Sequence, residues 1–353
     1  MVQTLKEKPK SATNTPIPNP AEAEPVNWRK IVTKYQQPCL RKSSWQIVNS
    51  IGPYLLLWIA ACFTVQISWP LTLTLAAIAG LFLVRIFIIF HDCGHGSFFE
   101  SKRANNVLGF ITGILTFTPY RYWRWQHAVH HGTSGNLDHR GTGDIWTMTV
   151  NEYRSASPWM RLRYVISRNP IVVFVIAPIG LFWIYQRFAF DGASRRDRRS
   201  VLWTNIGLAI YISTMSLILG FWNFFWIQLV VTLVSGTAGG WLFYVQHQFE
   251  DTYWRNADEW DYLTSAMRGS SFYKLPKILQ WFSGNIGFHH IHHLSSRIPN
   301  YNLEACHNAE PFFQQVPELT LRSSIKSIHL RLWDEESEKL VGYKYLRRFK
   351  EAA

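Results

Sequence analysis

Residues 71–95 read LTLTLAAIAGLFLVRIFIIFHDCGH, an apolar run that ends in a short cluster of polar side chains. Residues 71–90 carry one charged side chain, Arg85, and a run of about 20 residues is what a helix needs to span a bilayer. If the helix continues to residue 95, His91 and His95 lie one turn apart on the same face. The stretch therefore predicts a membrane-spanning helix that presents two imidazoles at its end.

Three further apolar runs repeat this pattern, over residues 51–69, 201–219 and 224–246. Pro70 separates the run at 51–69 from the one described above, and residues 220–223 join the last two. Each pair of runs is therefore predicted to turn straight back. We predict an all-α membrane protein with four transmembrane helices in two hairpins, and a cytoplasmic helical cap that carries the histidine clusters.

The distribution of charge predicts the orientation of these helices. The chain has a formal net charge of +13, and its lysines and arginines flank the apolar runs rather than the two short turns. Cationic residues concentrate on the cytoplasmic side of membrane proteins, so both termini and the histidine clusters are predicted to be cytoplasmic. Anionic lipid headgroups account for the basic flanks, and no nucleic-acid motif accompanies them, so a nucleic-acid partner is not expected.

Two shorter apolar stretches are not predicted to cross the membrane. Residues 107–118 are too few to span it and are predicted to be interfacial or re-entrant. Residues 171–186 are borderline in length and contain Pro178. If all histidine clusters build one site, an even number of crossings must separate them, so residues 171–186 are predicted to lie along the membrane.

The two ends of the chain are predicted to lie outside the membrane domain, which covers residues 29–305. Residues 1–28 have few large apolar side chains and are predicted to be a disordered leader. Residues 306–353 mix charged and apolar side chains and are predicted to be a cytoplasmic tail, helical around residues 325–340. The four cysteines have no paired spacing, so neither a disulfide framework nor a cysteine metal site is expected.

Ten of the 13 histidines fall into four places in the sequence. They are His91 and His95 in HDCGH, His127, His130 and His131 in HAVHH, His247 in YVQHQFE, and His289, His290, His292 and His293 in HHIHH. Within each cluster, spacings of three and four residues put imidazoles on one helix face, where they can converge on a metal ion. Iron, zinc and copper all accept imidazole ligands. Eight such ligands suffice for two metals with open positions, which favours a dinuclear redox centre that activates dioxygen.

Four longer strings carry a resemblance to a known family. They are HDCGHGSFF from residue 91, HHGTSGNLDHRGTGDIWTMTVNEY from residue 130, WLFYVQHQFEDTYW from residue 241, and GNIGFHHIHHLSSRIPNYNLE from residue 284. With these strings, residues 45–305 resemble the integral-membrane fatty acyl desaturases. The likeness is closest to the bacillus-type acyl-lipid Δ5 desaturases and extends to the Δ12 and ω3 group.

The resemblance implies a function and a set of ligands. The function is oxygen-dependent insertion of a cis double bond into the acyl chains of membrane glycerolipids, at Δ5 or alternatively at Δ12, by a di-iron centre. The implied iron ligands are His91, His95, His127, His130, His131, His289, His292 and His293, with His247 as a ninth near the end of the last span. The sequence has no haem, flavin or nicotinamide motif, so electrons are expected from a separate ferredoxin, flavodoxin or cytochrome.

Several residues near the clusters are expected to assist without binding iron. A ligating imidazole usually donates its second ring N–H to a carboxylate or carbonyl. The candidates for this role are Asp92, Asp144, Glu250, Asp251 and, through a water, Asn285. His290 is expected to contact the surroundings of the ligands or the acyl lipid. His139, His307 and His329 are expected to be structural or solvated, and Cys93 to fill space in its helix. Aromatic side chains of the spans and of residues 110–120 are expected to line an acyl tunnel.

Two other functions remain alternatives from the residues. Di-iron membrane hydroxylases and ketolases share the chemistry, but their clusters differ in spacing and include glutamates. A membrane metal transporter would also gather histidines, but it should place polar ligands inside its spans. The spans predicted for this chain are nearly free of charge apart from Arg85.

Overall fold

The computed structural model describes residues 27–349, which fold mainly into helices. The α-helices of this part of the chain are α1 (Trp28–Thr33), α2 (Leu40–Thr64), α3 (Trp69–His95), α4 (Lys102–Leu115), α5 (Tyr120–Thr133), α6 (Val150–Ser155), α7 (Pro158–Ser167), α8 (Ala177–Ile179), α9 (Arg195–Leu219), α10 (Phe221–His247), α11 (Tyr262–Arg268), α12 (Lys277–Phe282), α13 (His289–Leu294), α14 (Leu303–His307) and α15 (Leu321–Ser324). The strands are β1 (Met148–Thr149), β2 (Phe272–Lys274), β3 (Glu318–Thr320), β4 (Leu332–Asp334) and β5 (Lys339–Val341). Most of the predicted leader lies outside the described residues, and Asn27 caps α1 through a side-chain bond to the amide of Lys30.

Helices α2, α3, α9 and α10 are long and apolar enough to cross a membrane, as predicted. At 25 and 27 residues and 1.5 Å per residue they are roughly 38–40 Å long, which exceeds the hydrocarbon core of a bilayer. The first of them begins at Leu40, well before the predicted residue 51. Pro70 lies in the first turn of α3, where its missing N–H costs no helix bond, and the chain turns at residues 65–68 instead.

Helix α3 is the central helix of the membrane layer. In the apolar 18-residue stretch of α3, 56% of the residues are buried, whereas only 17% are buried in the corresponding stretch of α9. It packs against α2 and α10, and Gly80 allows the close approach to α10, because a Cβ at this position would lie 2.7 Å from the Cβ of Val234. Large apolar side chains such as Phe63 and Leu217 face outward from α2 and α9. These outward faces suit contact with lipid.

Two shorter segments lie beside the four long helices. Helix α4 has 14 residues, or roughly 21 Å, which is too short to span a bilayer. The second segment, Val172–Arg187, combines π-helical turns with α8 and is bent by 60° from α7. Pro178 packs this segment against α10 at Gly236, where a Cβ would lie 2.7 Å from the proline Cβ. The course of this segment along the membrane stays a prediction, because α7 and Val172–Arg187 together have the length and composition of one broken span.

The C-terminal tail packs into the rest of the protein. Phe313, Val316 and Cys306 belong to the same buried cluster as Ile291 and Leu294 of α13. The short strands connect distant parts of the chain: β4 pairs with β1 and β5, and β2 pairs with β3 in parallel. The tail is therefore an integral part of the layer that contains the histidines.

The predicted helix at residues 325–340 is wrong. Ile325–His329 is a 3-10 turn, and β4 and β5 then form an antiparallel pair. The charged turn between the strands is fixed by the carboxylate of Asp334, which accepts bonds from the amide and hydroxyl of Ser337. Trp333 and Leu340 are paired across the two strands and pack on Trp254. The burial of these side chains therefore stabilises strands here rather than the predicted helix.

Candidate metal centre

The first pair of histidines projects from the last turn of α3. His91 and His95 are four residues apart and their ring centroids lie 4.7 Å apart. The helix stops directly after His95 because Gly96 adopts a left-handed φ of 69°. The amides of Gly96 and Ser97 then bond back to the carbonyls of Cys93 and Asp92, which is a standard glycine C-cap. The pair is thus held at a sharply defined helix end.

The other histidines come from α5, α10 and α13. His127, His130 and His131 lie on α5, and His247 is the last residue of α10. Helix α13 has six residues, and its spacing places His289, His292 and His293 toward the other clusters. Gly284, with φ of 54°, and Asn285, with φ of 59°, make the turn that precedes α13.

Nine imidazoles from these helices form two groups, and within each group the candidate ligand atoms all lie within 4.8 Å of one another. The first group is His91, His95, His127, His131 and His292, and the second is His130, His247, His289 and His293. Helices α5 and α13 contribute to both groups. The second group is fully buried, whereas three members of the first are partly exposed. The structure therefore brings together all nine histidines that the sequence singled out.

The ring nitrogens in these groups lack ordinary partners. Five of them have no hydrogen-bond partner within residues 27–349, on His95, His130, His131, His289 and His292. The Nε2 atoms of His247 and His293 instead face Nε2 of His289 at 2.9 and 3.1 Å. Buried polar atoms without partners are rare and costly in folded proteins. A metal ion in each group would bind the free Nε2 atoms of His95, His130 and His292, and clustered imidazoles are suitable ligands for iron.

The groups also have the protonation state that metal binding needs. Burial, followed by the neighbouring imidazoles, lowers the pKa of His127, His131, His289, His292 and His293 well below the ordinary value. These rings are therefore neutral at pH 7, with lone pairs free to bind a metal.

Two carboxylates orient imidazoles, as the sequence predicted. Asp144 Oδ1 lies 2.7 Å from Nδ1 of His130, and Asp92 Oδ1 lies 3.1 Å from Nδ1 of His91. A proton on Nδ1 donated to each carboxylate leaves Nε2 as the lone-pair nitrogen of the ring. The ring of His247 is oriented in the same way, because its Nδ1 lies 3.1 Å from the carbonyl oxygen of Gly269 and its Nε2 is left to bind a metal.

Two other predicted supports are wrong, and the predicted water-mediated role of Asn285 stays a prediction. The carboxylate of Asp251 pairs with Lys339 at 2.9 Å, and Glu250 is engaged through its backbone carbonyl, which accepts a bond from Leu340. Asn285 donates to the carbonyl of Asn300 and accepts a bond from Gln280. Asp251 and Asn285 are close to the clusters in sequence, but their side chains make bonds elsewhere, and Glu250 is exposed.

Sequence reasoning missed Asn300, which holds Asp92. Its backbone amide and its side-chain amide both donate to Asp92 Oδ2, at 2.7 and 2.8 Å. Gln46 of α2 exchanges two further bonds with the Asn300 side chain. Asn300 is more than 200 residues from both Asp92 and Gln46, so only the first asparagine in the string IPNYNLE could have drawn attention to this position.

His290 lies on the opposite side of α13 from the metal groups. Its Nε2 lies 3.0 Å from Nδ1 of His307, and both residues are buried beside Phe272. The prediction that His290 contacts the ligands or the lipid is wrong, and His307 is its partner. His139 and His329 are exposed, in agreement with a solvated role.

A long cavity reaches the metal groups from the membrane layer. Its volume is about 910 Å³, and His91, His127 and His289 line one end. On α10 its lining runs from Gln228 to Gln246, which is roughly 27 Å at 1.5 Å per residue. Apolar side chains dominate the wall, including Leu83, Phe87, Val173, Phe182 and Phe243. From residues 110–120, Leu115, Thr116 and Phe117 contribute, whereas Phe110 and Tyr120 do not.

Four apolar helices, two histidine groups and an apolar cavity that reaches these groups define a membrane protein with a candidate metal centre that faces a hydrophobic substrate site. The profile of the family described as fatty acid desaturase matches residues 67–321. The chain belongs to this family, and it is accordingly an oxidoreductase of lipid metabolism.

Three relatives place the chain within the family. A protein of Bacillus subtilis named "Fatty acid desaturase" is 47% identical over 318 residues, which cover 90% of both chains. An "sn-1 oleoyl-lipid 12-desaturase" of Picosynechococcus is 29% identical over 268 residues, covering 72% of this chain and 71% of its own. An "sn-1 acyl-lipid omega-3 desaturase (ferredoxin)" of Synechocystis is 25% identical over 310 residues, covering 83% of both.

Proposed function

We propose that this protein is an oxygen-dependent di-iron acyl-lipid desaturase that introduces a cis double bond into acyl chains of membrane glycerolipids. The observation that carries the proposal is the position of two histidine groups at one end of a long apolar cavity. One lipid's acyl chains occupy about half of a hydrocarbon core roughly 30 Å thick, so a cavity of this length accommodates a whole chain.

In this proposal the nine histidines of the two groups are the iron ligands. They are His91, His95, His127, His131 and His292 for one iron, and His130, His247, His289 and His293 for the other. When bound, the two irons would activate dioxygen, which is the oxidant. Overall, dioxygen is reduced to two waters by two hydrogens from adjacent methylenes together with two electrons and two protons from outside. The low pKa values of the buried rings and the carboxylates of Asp144 and Asp92 support this assignment.

The protein's own contribution to the reaction is positioning. An acyl chain offers many C–H bonds of similar strength, so the cavity must fix one pair of methylenes beside the metal groups. Apolar side chains such as Phe87 and Phe243 line that end of the cavity. We propose oxidation at Δ5, by resemblance to the bacillus-type enzymes, with Δ12 as the alternative from the more distant relatives.

The electrons are proposed to come from a separate ferredoxin or flavodoxin. The printed name of the Synechocystis relative specifies ferredoxin. The net charge of +13 supports attraction of an acidic donor protein.

We also propose that both termini and the metal centre are cytoplasmic, with four crossings in two hairpins. Arginines at the start of α9 support this orientation. The orientation can be tested with single cysteines introduced between Asp191 and Ser200. Labelling by a membrane-impermeant thiol reagent only after the cells are opened is expected, and labelling of intact cells would contradict the topology.

The proposed activity is tested by expression in a host that lacks it, followed by mass spectrometry of double-bond positions in total lipid. The wild-type chain is expected to produce new cis double bonds, and His130→Ala to produce none. His139→Ala is the matched control, because His139 is exposed and outside both groups. Hydroxylated products alone would favour a di-iron hydroxylase or ketolase, and tight zinc binding without new lipid would favour a transporter.

A further inference from the structure

The wall of the apolar cavity contains polar side chains that the metal centre does not use. Gln126 and Gln186 line the cavity, as does His127, the residue that follows Gln126 on α5. Gln228 and Thr232 line it at the other end of α10. An apolar cavity with a few fixed polar groups binds a ligand that has polar atoms at defined positions.

Gln186 differs from the other buried glutamines of the cavity wall. Its exposure is 3%, and its Oε1 accepts no hydrogen bond within the described residues 27–349. Gln228, by contrast, accepts a bond from the hydroxyl of Tyr211 and donates to Thr232, and Gln246 donates to the carbonyl of Ile286. A buried amide oxygen without a partner is costly unless a ligand or solvent satisfies it.

Gln126 and Gln186 face one another across the cavity wall. Nε2 of Gln186 lies 3.5 Å from Oε1 of Gln126, which is a long contact. Each amide has two donor hydrogens and an acceptor oxygen, so the pair retains free N–H groups besides the free oxygen of Gln186. The pair can therefore donate to a carbonyl and accept from a hydroxyl of the same ligand.

We propose that Gln126 and Gln186 form a binding subsite for the ester end of the glycerolipid acyl chain. An amide N–H donates to the ester carbonyl, and Oε1 of Gln186 accepts from a polar hydrogen of the headgroup region. This inference rests on the proposed function and deepens it. For Δ5 oxidation the ester lies only a few bonds from the reacting carbons, so its subsite must be beside the metal groups, where Gln126 precedes His127.

The subsite gives the cavity a reference point from which methylenes are counted. A carbonyl held at a fixed position sets which pair of methylenes lies beside the imidazoles, whatever the length of the chain beyond them. In the wild type the double bond therefore keeps its distance from the carboxyl end in chains of different length. Without the subsite the chain loses this reference point and can slide along the apolar part of the wall.

The test compares Gln126→Leu, Gln186→Leu and the double variant with the wild type in a host supplied with acyl chains of two lengths. Mass spectrometry measures the positions of the double bonds in glycerolipids. Each leucine variant is expected to spread the double bond over neighbouring positions and to lower product yield about tenfold, as for loss of one buried hydrogen bond. Gln280→Leu is the matched control and is expected to retain the wild-type position, because Gln280 is buried but does not line the cavity.

The outcomes separate this proposal from the one on which it rests. A wild-type chain that makes no double bond refutes the desaturase function, whereas wild-type product with an unchanged position and yield in the double variant refutes the subsite. Because a leucine could impair folding, protein and iron content are measured in parallel, and Gln186→Glu and Gln126→Glu serve as variants of similar size. Normal iron with lower yield but an unchanged double-bond position would also overturn the proposal, because it would indicate a merely structural role.

Discussion

Asn300 donates two hydrogen bonds to one oxygen of Asp92, at 2.7 and 2.8 Å, while the other oxygen of that carboxylate faces Nδ1 of His91. Asn300 and Asp92 are 2% and 1% exposed, so neither can exchange its partner for bulk water. The asparagine therefore fixes the carboxylate, and the carboxylate fixes the imidazole ring. Asn300 is a positioning residue for the first metal group.

Replacement of Asn300 is expected to weaken metal binding. In Asn300→Ala the carboxylate of Asp92 loses a charge-assisted side-chain bond, and His91 is no longer held in one orientation. Residues that orient metal ligands typically contribute 10- to 100-fold to affinity, so a loss of about this size is expected. Iron content after dialysis against a graded chelator measures it. Asn308→Ala, at an exposed position, is the control, and equal iron retention in both variants would contradict the role of Asn300.

Asp144→Asn is expected to affect the second metal group. The amide cannot accept the proton of His130 Nδ1 as strongly as the carboxylate does at 2.7 Å, so the ring loses its fixed tautomer. We expect lower iron content and a loss of desaturation of about tenfold or more. The control is Asp251→Asn, which removes a surface pair with Lys339 and should leave both quantities near the wild-type level.

His289 and His290 are adjacent in α13 but should respond differently to alanine. His289 lies in the second metal group, so His289→Ala is expected to lose iron and activity. His290→Ala removes a buried hydrogen bond to His307 and should lower the free energy of unfolding by about 1–3 kcal/mol with iron retained. Iron analysis and thermal unfolding in detergent separate the two effects, and iron loss in His290→Ala would exclude the assignment.

The metal-free protein should lose stability as the pH falls. Burial lowers the pKa of His127 and His293 well below 6.5 in the folded chain, whereas in the unfolded chain these rings titrate near 6.5. Below pH 6.5 the unfolded state therefore binds more protons, and stability present above this pH is progressively lost. Unfolding midpoints of chelator-treated protein between about pH 8 and pH 5 measure the effect. A midpoint that is constant or rises on acidification would show that the rings are not buried together.

Filling the cavity is expected to abolish activity without unfolding the protein. Gly239 lines the cavity, and a Cβ at this position would meet no atom within 4 Å, so Gly239→Leu extends into the cavity. Desaturation in cells should fall by tenfold or more while protein and iron content stay normal. Gly52→Leu is matched to it, because Gly52 also has open space around its Cβ but does not line the cavity. Full activity in Gly239→Leu would mean that substrate does not occupy this cavity.

The sequence predicted the features that depend on local spacing. Hydropathy over about 20 residues predicted the four long helices, because the bilayer imposes one length on every span. Spacings of three and four residues predicted which histidines share a face. The tendency of ligating imidazoles to donate to a nearby carboxylate correctly drew attention to Asp144 and Asp92. The ends of the helices were less predictable, since α2 continues to Leu40 through polar residues such as Ser43 and Gln46 that are buried by packing.

Contacts between distant parts of the chain were not predictable from one sequence. Asn300 lies more than 200 residues from Asp92, and nothing local to Asn300 indicates that partner. The pair of His290 and His307 depends in the same way on how the tail packs against α13. Residues 332–341 have a spacing compatible with a helix, and they form strands because β1 and Trp254 offer partners from elsewhere in the chain.

The sharing of α5 and α13 between the two histidine groups has a consequence for how the protein matures. A six-residue helix such as α13 is not stable by itself in water, so its order depends on what holds it in place. The first ion to enter would immobilise rings on both shared helices and thereby lower the entropic cost of capturing the second. Binding of the two metal ions should accordingly be cooperative. An iron-starved cell should contain chains with two ions and chains with none, and few chains with a single ion.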